Sequence, residues 1–234
     1  LAEGYAAAIG ALQYNENTVD ATIVPGALTG DPAAVTIAPG GSGLIVDNWI
    51  RTTPPGTAPS IAVRRLAGSS RLELRGSVPL GGAPGVRPVS VINPTLFFLT
   101  ALRAALTVNG IDVRGPAVDI DDLPDAPARN GGPALVTHRS APLATLAVTL
   151  MKESQNLYAE TFLKTMGDAA GVGSSEHGRT ATIAVLQQWG LPAGELIQMD
   201  GSGLSRYDYV TAATLVGVLT HARHDDILRG TFDA

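Results

Sequence analysis

The chain has 234 residues, 45% of them hydrophobic and 16% charged, with a formal net charge of -5. That length accommodates a sizeable core, and the chain is too apolar to remain disordered. Cysteine is absent, which excludes disulfides, thiol catalysis and thiolate metal sites.

Charged residues are scattered and no basic stripe forms, so nothing marks nucleic acid as a partner. No apolar run reaches the length of a bilayer span, so no transmembrane segment is expected. The first residue is Leu1, the end is "LRGTFDA", and no signal peptide is expected within the chain. The expectation is an internal piece of a longer protein.

The first 25 residues lead through a turn into short strands, with Val19, Ala21 and Ile23 alternating with polar neighbours before a Pro-Gly turn. "AAVTIAPGGSGLIVDNWIRT" predicts two strands around a glycine-rich turn. "SIAVRRLAGSSRLELRGSVPL" predicts a hairpin, with Leu72 and Leu74 on one face and Arg71, Glu73 and Arg75 on the other. The period then changes. "NPTLFFLTALRAALTVNG" predicts a helix with Asn93 as N-cap, Pro94 at its first position and Asn109-Gly110 as its stop.

A strand is expected over "IDVRGPAV", followed by an acidic, Pro/Gly-rich connection over residues 119–133. Asp119, Asp121 and Asp122 are candidate cation ligands there. Their spacing departs from an EF-hand loop, which favours an ordinary solvated loop. From Ser140 the chain turns helical, with Leu143, Leu146, Ala147, Leu150 and Met151 on one stripe. Further helices are predicted from about Asn156 to Met166, from about Ser175 to Trp189, and after an N-cap at Thr211. His221 and His224 lie three apart on the last of these. With no carboxylate motif nearby, they read as a solvated helix end. The order, β-rich first and helical later, gives an α+β fold with at least two domains.

Between the first two helices of the later half stands Ser154-Gln155-Asn156. Taken alone, Ser and Asn at such a place read as helix N-caps. A glycine-rich loop, Asp200-Gly201-Ser202-Gly203-Leu204-Ser205-Arg206, follows later. Its glycines permit tight turns and close approach of backbone to a ligand, while the ordinary reading is a surface turn capped by Asp200.

Together, "LMKESQNLYAETFLKTMG" and "DGSGLSRYDYVTAATLVGVL" resemble the class C penicillin-binding proteins, which are D-alanyl-D-alanine carboxypeptidase/endopeptidases. The early "ALQYNENTVDATIVPG" and "TLFFLTALRAALTVNGIDVRG" look like the domains that this family inserts between its first two catalytic motifs. The resemblance implies part of a penicilloyl-serine transpeptidase-like domain with β-rich inserted domains. Residues 1–35 with 119–137 would form one insert, 36–118 a second, and 138–234 the helical part of the catalytic domain.

By the same resemblance, Ser154 passes a proton toward the leaving nitrogen, and Asn156 binds a substrate carbonyl and steadies a lysine. Leu204, Arg206 and Tyr5 would contact substrate. No metal or cofactor is implied. The implied partners are peptidoglycan stem peptides and β-lactams, at an extracytoplasmic site.

The chain departs from the family in lacking Ser-x-x-Lys and Lys-Thr-Gly. Its two lysines, Lys152 and Lys164, are preceded three residues back by Thr149 and Thr161. These read as helix-surface positions rather than active pairs. The expectation is therefore a nucleophile before Leu1, a Lys-Thr-Gly strand after Ala234, and a segment that is inactive alone. A non-catalytic peptidoglycan-binding or scaffold protein of the same fold is the alternative. A serine β-lactamase shares Ser-x-Asn but has no long β-rich insertion before it.

Overall fold

The computed structural model describes residues 2–66, 69–125, 133, 136–170, 173–226 and 228–232. The chain divides into two compact units, residues 1–130 and 131–234.

In the first unit the strands are β1 (Thr18–Val24), β2 (Ala34–Ala38), β3 (Ile45–Thr53), β4 (Ser60–Arg65), β5 (Arg71–Pro79) and β6 (Gly85–Ser90), followed by helix α1 (Pro94–Val108). They form two three-stranded sheets, ordered β2-β1-β6 and β3-β5-β4. The first is antiparallel throughout, and takes strands from both sides of residue 35. In the second, β4 and β5 make the predicted hairpin, while β3 runs parallel to β5.

Strand alternation decides what goes inside. Val19, Ala21 and Ile23 of β1, Ile50 of β3, and Leu72, Leu74 and Val78 of β5 share one core with Val89, Val91 and Phe97. On the opposite face of β5, Arg71 pairs with Asp47, and Arg75 pairs with Glu73. α1 starts as its sequence dictates. The Asn93 side chain accepts a hydrogen bond from the Leu96 N–H at 2.9 Å, and Pro94 occupies the first turn.

Two expectations fail here. Residues 111–118 form no strand, and Ile111 and Val118 are exposed. Gly115-Pro116 interrupts that run, and proline supplies no N–H to a ladder. Conversely, β6 was not anticipated because Pro88 sits inside it. An outer strand tolerates a proline, and β6 is the outer strand of its sheet.

The second unit contains α2 (Leu143–Glu153), α3 (Asn156–Met166), α4 (Ser175–Gln188), the short strands β7 (Leu196–Ile197) and β8 (Tyr209–Val210), α5 (Ala212–His224) and the single turn α6 (Arg229–Phe232). Among its described residues, Leu157, Leu163, Leu186 and Thr214 are the buried ones outside the glycines. α3 and α4 approach closely at Gly178. A Cβ there would stand 1.9 Å from the Leu163 carbonyl oxygen, so only glycine fits.

Thr211 caps α5 as predicted, its hydroxyl accepting from the Thr214 N–H at 3.1 Å. The apolar stripe of α2 is a correction. None of it is fully buried, and Leu143 and Met151 are exposed. Among the described residues, no helix is long and apolar enough to cross a membrane.

Candidate active site

The α2–α3 junction is built by three consecutive residues with separate tasks. Ser154 ends α2 in the left-handed conformation, at φ 53° and ψ 48°, and its N–H closes the last turn on the Leu150 carbonyl. For a residue with a Cβ this conformation costs about 1–2 kcal/mol. Such strain persists only where its surroundings impose it, and it concentrates at working sites.

Gln155 is the N-cap of α3, its side-chain oxygen accepting from the Leu157 N–H at 3.2 Å. Asn156 is the first residue of α3 and is half-buried. The capping task expected of Ser154 or Asn156 is carried by Gln155. Ser154 beside it is exposed.

The glycine-rich loop is fastened to α3 four residues further on. One oxygen of Glu160 accepts from the Gly201 N–H at 3.0 Å, the Ser202 N–H at 3.0 Å and the Ser202 hydroxyl at 2.8 Å. Gly201 is required by this contact, because a Cβ would meet the Ala159 carbonyl oxygen at 2.5 Å. Asp200 ties the rest of the turn, accepting from the Gly203 N–H at 2.7 Å and the Ser205 N–H at 2.8 Å. Gly203 takes φ +75°, where glycine pays no steric penalty.

Asp208 accepts from the Met199 N–H at 2.5 Å. Its own carboxyl is pushed up from the ordinary range, first by burial and then by the neighbouring Asp200. Three carboxylates thus take up the N–H groups of residues 199, 201, 202, 203 and 205. These N–H groups are engaged within the protein. Leu204 and Arg206 are both exposed on it. An open groove of about 210 Å³ runs beside the loop, lined by the paired strands β7 and β8 and by Asp200, Gly201, Gly203 and Asp208.

The structure thus joins the Ser154–Asn156 junction and the 200–206 loop through α3. Tyr5 belongs to the first unit, in a short turn at Gly4–Ala6, and is half-exposed. The threonine–lysine pairs are ordinary helix positions. The Thr161 hydroxyl donates to the Leu157 carbonyl at 2.7 Å, and Lys152 is exposed.

Asp119 caps a single turn through the Asp121 N–H at 3.2 Å. His221 is more than a solvated helix end, since its ring stacks on Trp189 with centroids 4.1 Å apart. Among the described residues, no three His, Asp or Glu side chains gather as metal ligands. Glu160 and Asp208 were not singled out from sequence. The signal for Glu160 was its i+4 spacing from Asn156, which puts both on one side of α3.

The model of the D-Ala-D-Ala carboxypeptidase 3 (S13) family matches residues 1–233. A D-alanyl-D-alanine carboxypeptidase of Actinomadura sp. (strain R39) is 30% identical over 226 residues, covering 93% of this chain and 41% of that protein. The D-alanyl-D-alanine carboxypeptidase DacB of Haemophilus influenzae is 28% identical over 163 residues, covering 68% of this chain and 33% of that protein. The crystal structure of penicillin binding protein 4 (dacB) from Haemophilus influenzae superposes with a TM-score of 0.78 at 23% identity, over 98% of this chain and 50% of that one.

A second structure of that protein, complexed with a β-lactam, gives a TM-score of 0.73 at 24% identity. The fold is therefore that of penicillin binding protein 4, and the chain spans half or less of the length of these relatives. The chain belongs to the D-Ala-D-Ala carboxypeptidase 3 (S13) family.

Proposed function

We propose that this chain is a segment of a serine D-alanyl-D-alanine carboxypeptidase/endopeptidase acting on peptidoglycan stem peptides. A serine hydroxyl attacks the carbonyl before the terminal D-alanine, and the peptide bond breaks. The departing nitrogen leaves as an amine after taking a proton relayed by Ser154. Water then hydrolyses the acyl ester and regenerates the serine. Asn156 holds a substrate carbonyl, while Leu204 and Arg206 contact the peptide. A β-lactam, whose strained amide mimics the scissile bond, acylates the same serine.

The observation that carries this reading is the α2–α3 junction. Ser154 is exposed and held in a costly conformation, while Gln155 performs the capping. The fastening of the 200–206 loop to the same helix supports it. Residues 138–234 are then the helical part of the catalytic domain, and the β-rich residues before them are the inserted part. The nucleophilic serine and its lysine belong to the longer protein, since neither lysine of this chain follows a serine at the required spacing. Stem peptides lie outside the cytoplasmic membrane, so the site of action is extracytoplasmic.

The test is reaction of the full-length protein with a penicillin, read by intact mass. A stoichiometric adduct supports the enzyme. A folded protein that forms none is the non-catalytic scaffold.

A further inference from the structure

We propose that Glu160 is a positioning residue for peptide substrates: it fixes the 200–206 loop at a set distance along α3 from Asn156. The inference rests on the function proposed above. Asn156 and Glu160 are four residues apart, one helical turn, about 6 Å along the axis. Both stand on one side of α3.

A single Glu160 oxygen receives the Gly201 N–H, the Ser202 N–H and the Ser202 hydroxyl, so three donors converge on one ionisable group. Backbone contact adds to this, because the loop rests on the Ala159–Glu160 peptide so closely that position 201 has no room for a Cβ. Asp200 organises the following turn from within, through Gly203 and Ser205. That internal turn sets the loop's shape but leaves its place on the helix to Glu160.

Leu204 and Arg206 ride on this turn and are exposed. A loop that drifts along α3 therefore moves the peptide-contacting side chains relative to Asn156, while the groups at the α2–α3 junction stay where they are. Loss of Glu160 should weaken peptide binding more than it slows chemistry. Glutamine, which keeps an acceptor oxygen in place, should recover part of the loss. Ser202 supplies two of the three donors, one of them through its side chain, so its hydroxyl acts within the same linkage.

The experiment uses the full-length protein with a stem-peptide substrate, and compares Glu160→Ala, Glu160→Gln, Ser202→Ala and the Glu160→Ala/Ser202→Ala double variant. For Glu160→Ala the expected change is a KM raised about 10- to 100-fold, the net loss of about one charge-assisted hydrogen bond, with kcat lowered less than about threefold. Glu160→Gln should lie between this and wild type. Ser202→Ala should have a smaller effect that disappears in the Glu160→Ala background, as for two groups in one linkage. Hydrogen exchange of the backbone over residues 200–206 should quicken at least about tenfold in Glu160→Ala, with α4 unchanged.

A fall in kcat at constant KM overturns the proposal, as does unaltered exchange in the loop. If the wild-type protein hydrolyses no stem peptide, the functional reading falls, and the exchange measurement alone decides whether Glu160 holds the loop.

Discussion

Replacing Ser154 by glycine separates a catalytic serine from an ordinary helix stop. Ser154 sits at φ 53° and ψ 48°, the centre of the left-handed region, and closes the last turn of α2 onto Leu150. A Cβ in that conformation costs about 1–2 kcal/mol. Glycine removes this cost but adds about 0.4–1 kcal/mol through the freedom of the unfolded chain. The net expectation is a gain of about 0.5–1 kcal/mol. No capping hydrogen bond is lost in exchange, because Gln155 caps α3.

The two assays are urea denaturation of the full-length protein and the rate of its acylation by a fluorescent penicillin. Ser154→Gly should be the more stable protein and should acylate about 10²–10⁴-fold more slowly, the usual range for a lost proton-transfer group. Ser154→Ala should slow to the same degree with no gain in stability. Acylation of the glycine variant at the wild-type rate would refute the reasoning and leave Ser154 as a helix stop. A loss of stability would refute the claim that its conformation is costly.

Two further predictions concern the loop. Because the Asp208 carboxyl is raised above its ordinary value by burial and by Asp200, folding favours its protonated form. That stabilising contribution is complete below the ordinary carboxylate pKa, about 4, and is lost as pH rises through the raised value. Asp208→Asn keeps an acceptor for Met199 and carries no charge. Its stability should match wild type near pH 4 and exceed it at pH 7, as measured by melting temperature. A difference that does not vary with pH would contradict this.

In the full-length protein, Arg206→Ala should lower kcat/KM for a stem peptide by about 10- to 100-fold, the value of a charge-assisted hydrogen bond to a carboxylate. Acylation by a small β-lactam lacking that carboxylate should fall far less, and Arg206→Lys should rescue only in part, because a point charge lacks the guanidinium fork. Equal losses on both substrates would show that Arg206 supports the loop instead.

What was legible in the sequence was whatever local chemistry decides. Asn93 and Thr211 announce their helices because their side chains bond N–H groups three residues on. The β4–β5 hairpin is legible because Leu72 and Leu74 alternate with charged residues along one strand. The parallel pairing of β3 with β5 was not, since it joins segments separated by an intervening strand. β6 was hidden by Pro88, whose effect depends on an outer position in the sheet that local sequence does not state.

The apolar stripe of α2 read as a buried face, yet the helical unit leaves Leu143 and Met151 exposed. At the site, Ser154 and Asn156 were visible as a spaced pair. Their separation from capping was not, because it depends on Gln155 turning its oxygen toward Leu157. Glu160 stood in view within Leu-Tyr-Ala-Glu, but its partners lie more than 40 residues away, at Gly201 and Ser202.

The central claim is that Ser154 and Asn156 serve a nucleophile this chain does not contain. The most direct measurement is peptide mapping of the adduct formed when the full-length protein reacts with a penicillin. The expected result is one acylated serine outside residues 1–234, three residues before a lysine, with the 234-residue chain alone remaining unmodified. An adduct on Thr149 or Thr161, or no adduct on a folded full-length protein, would contradict it.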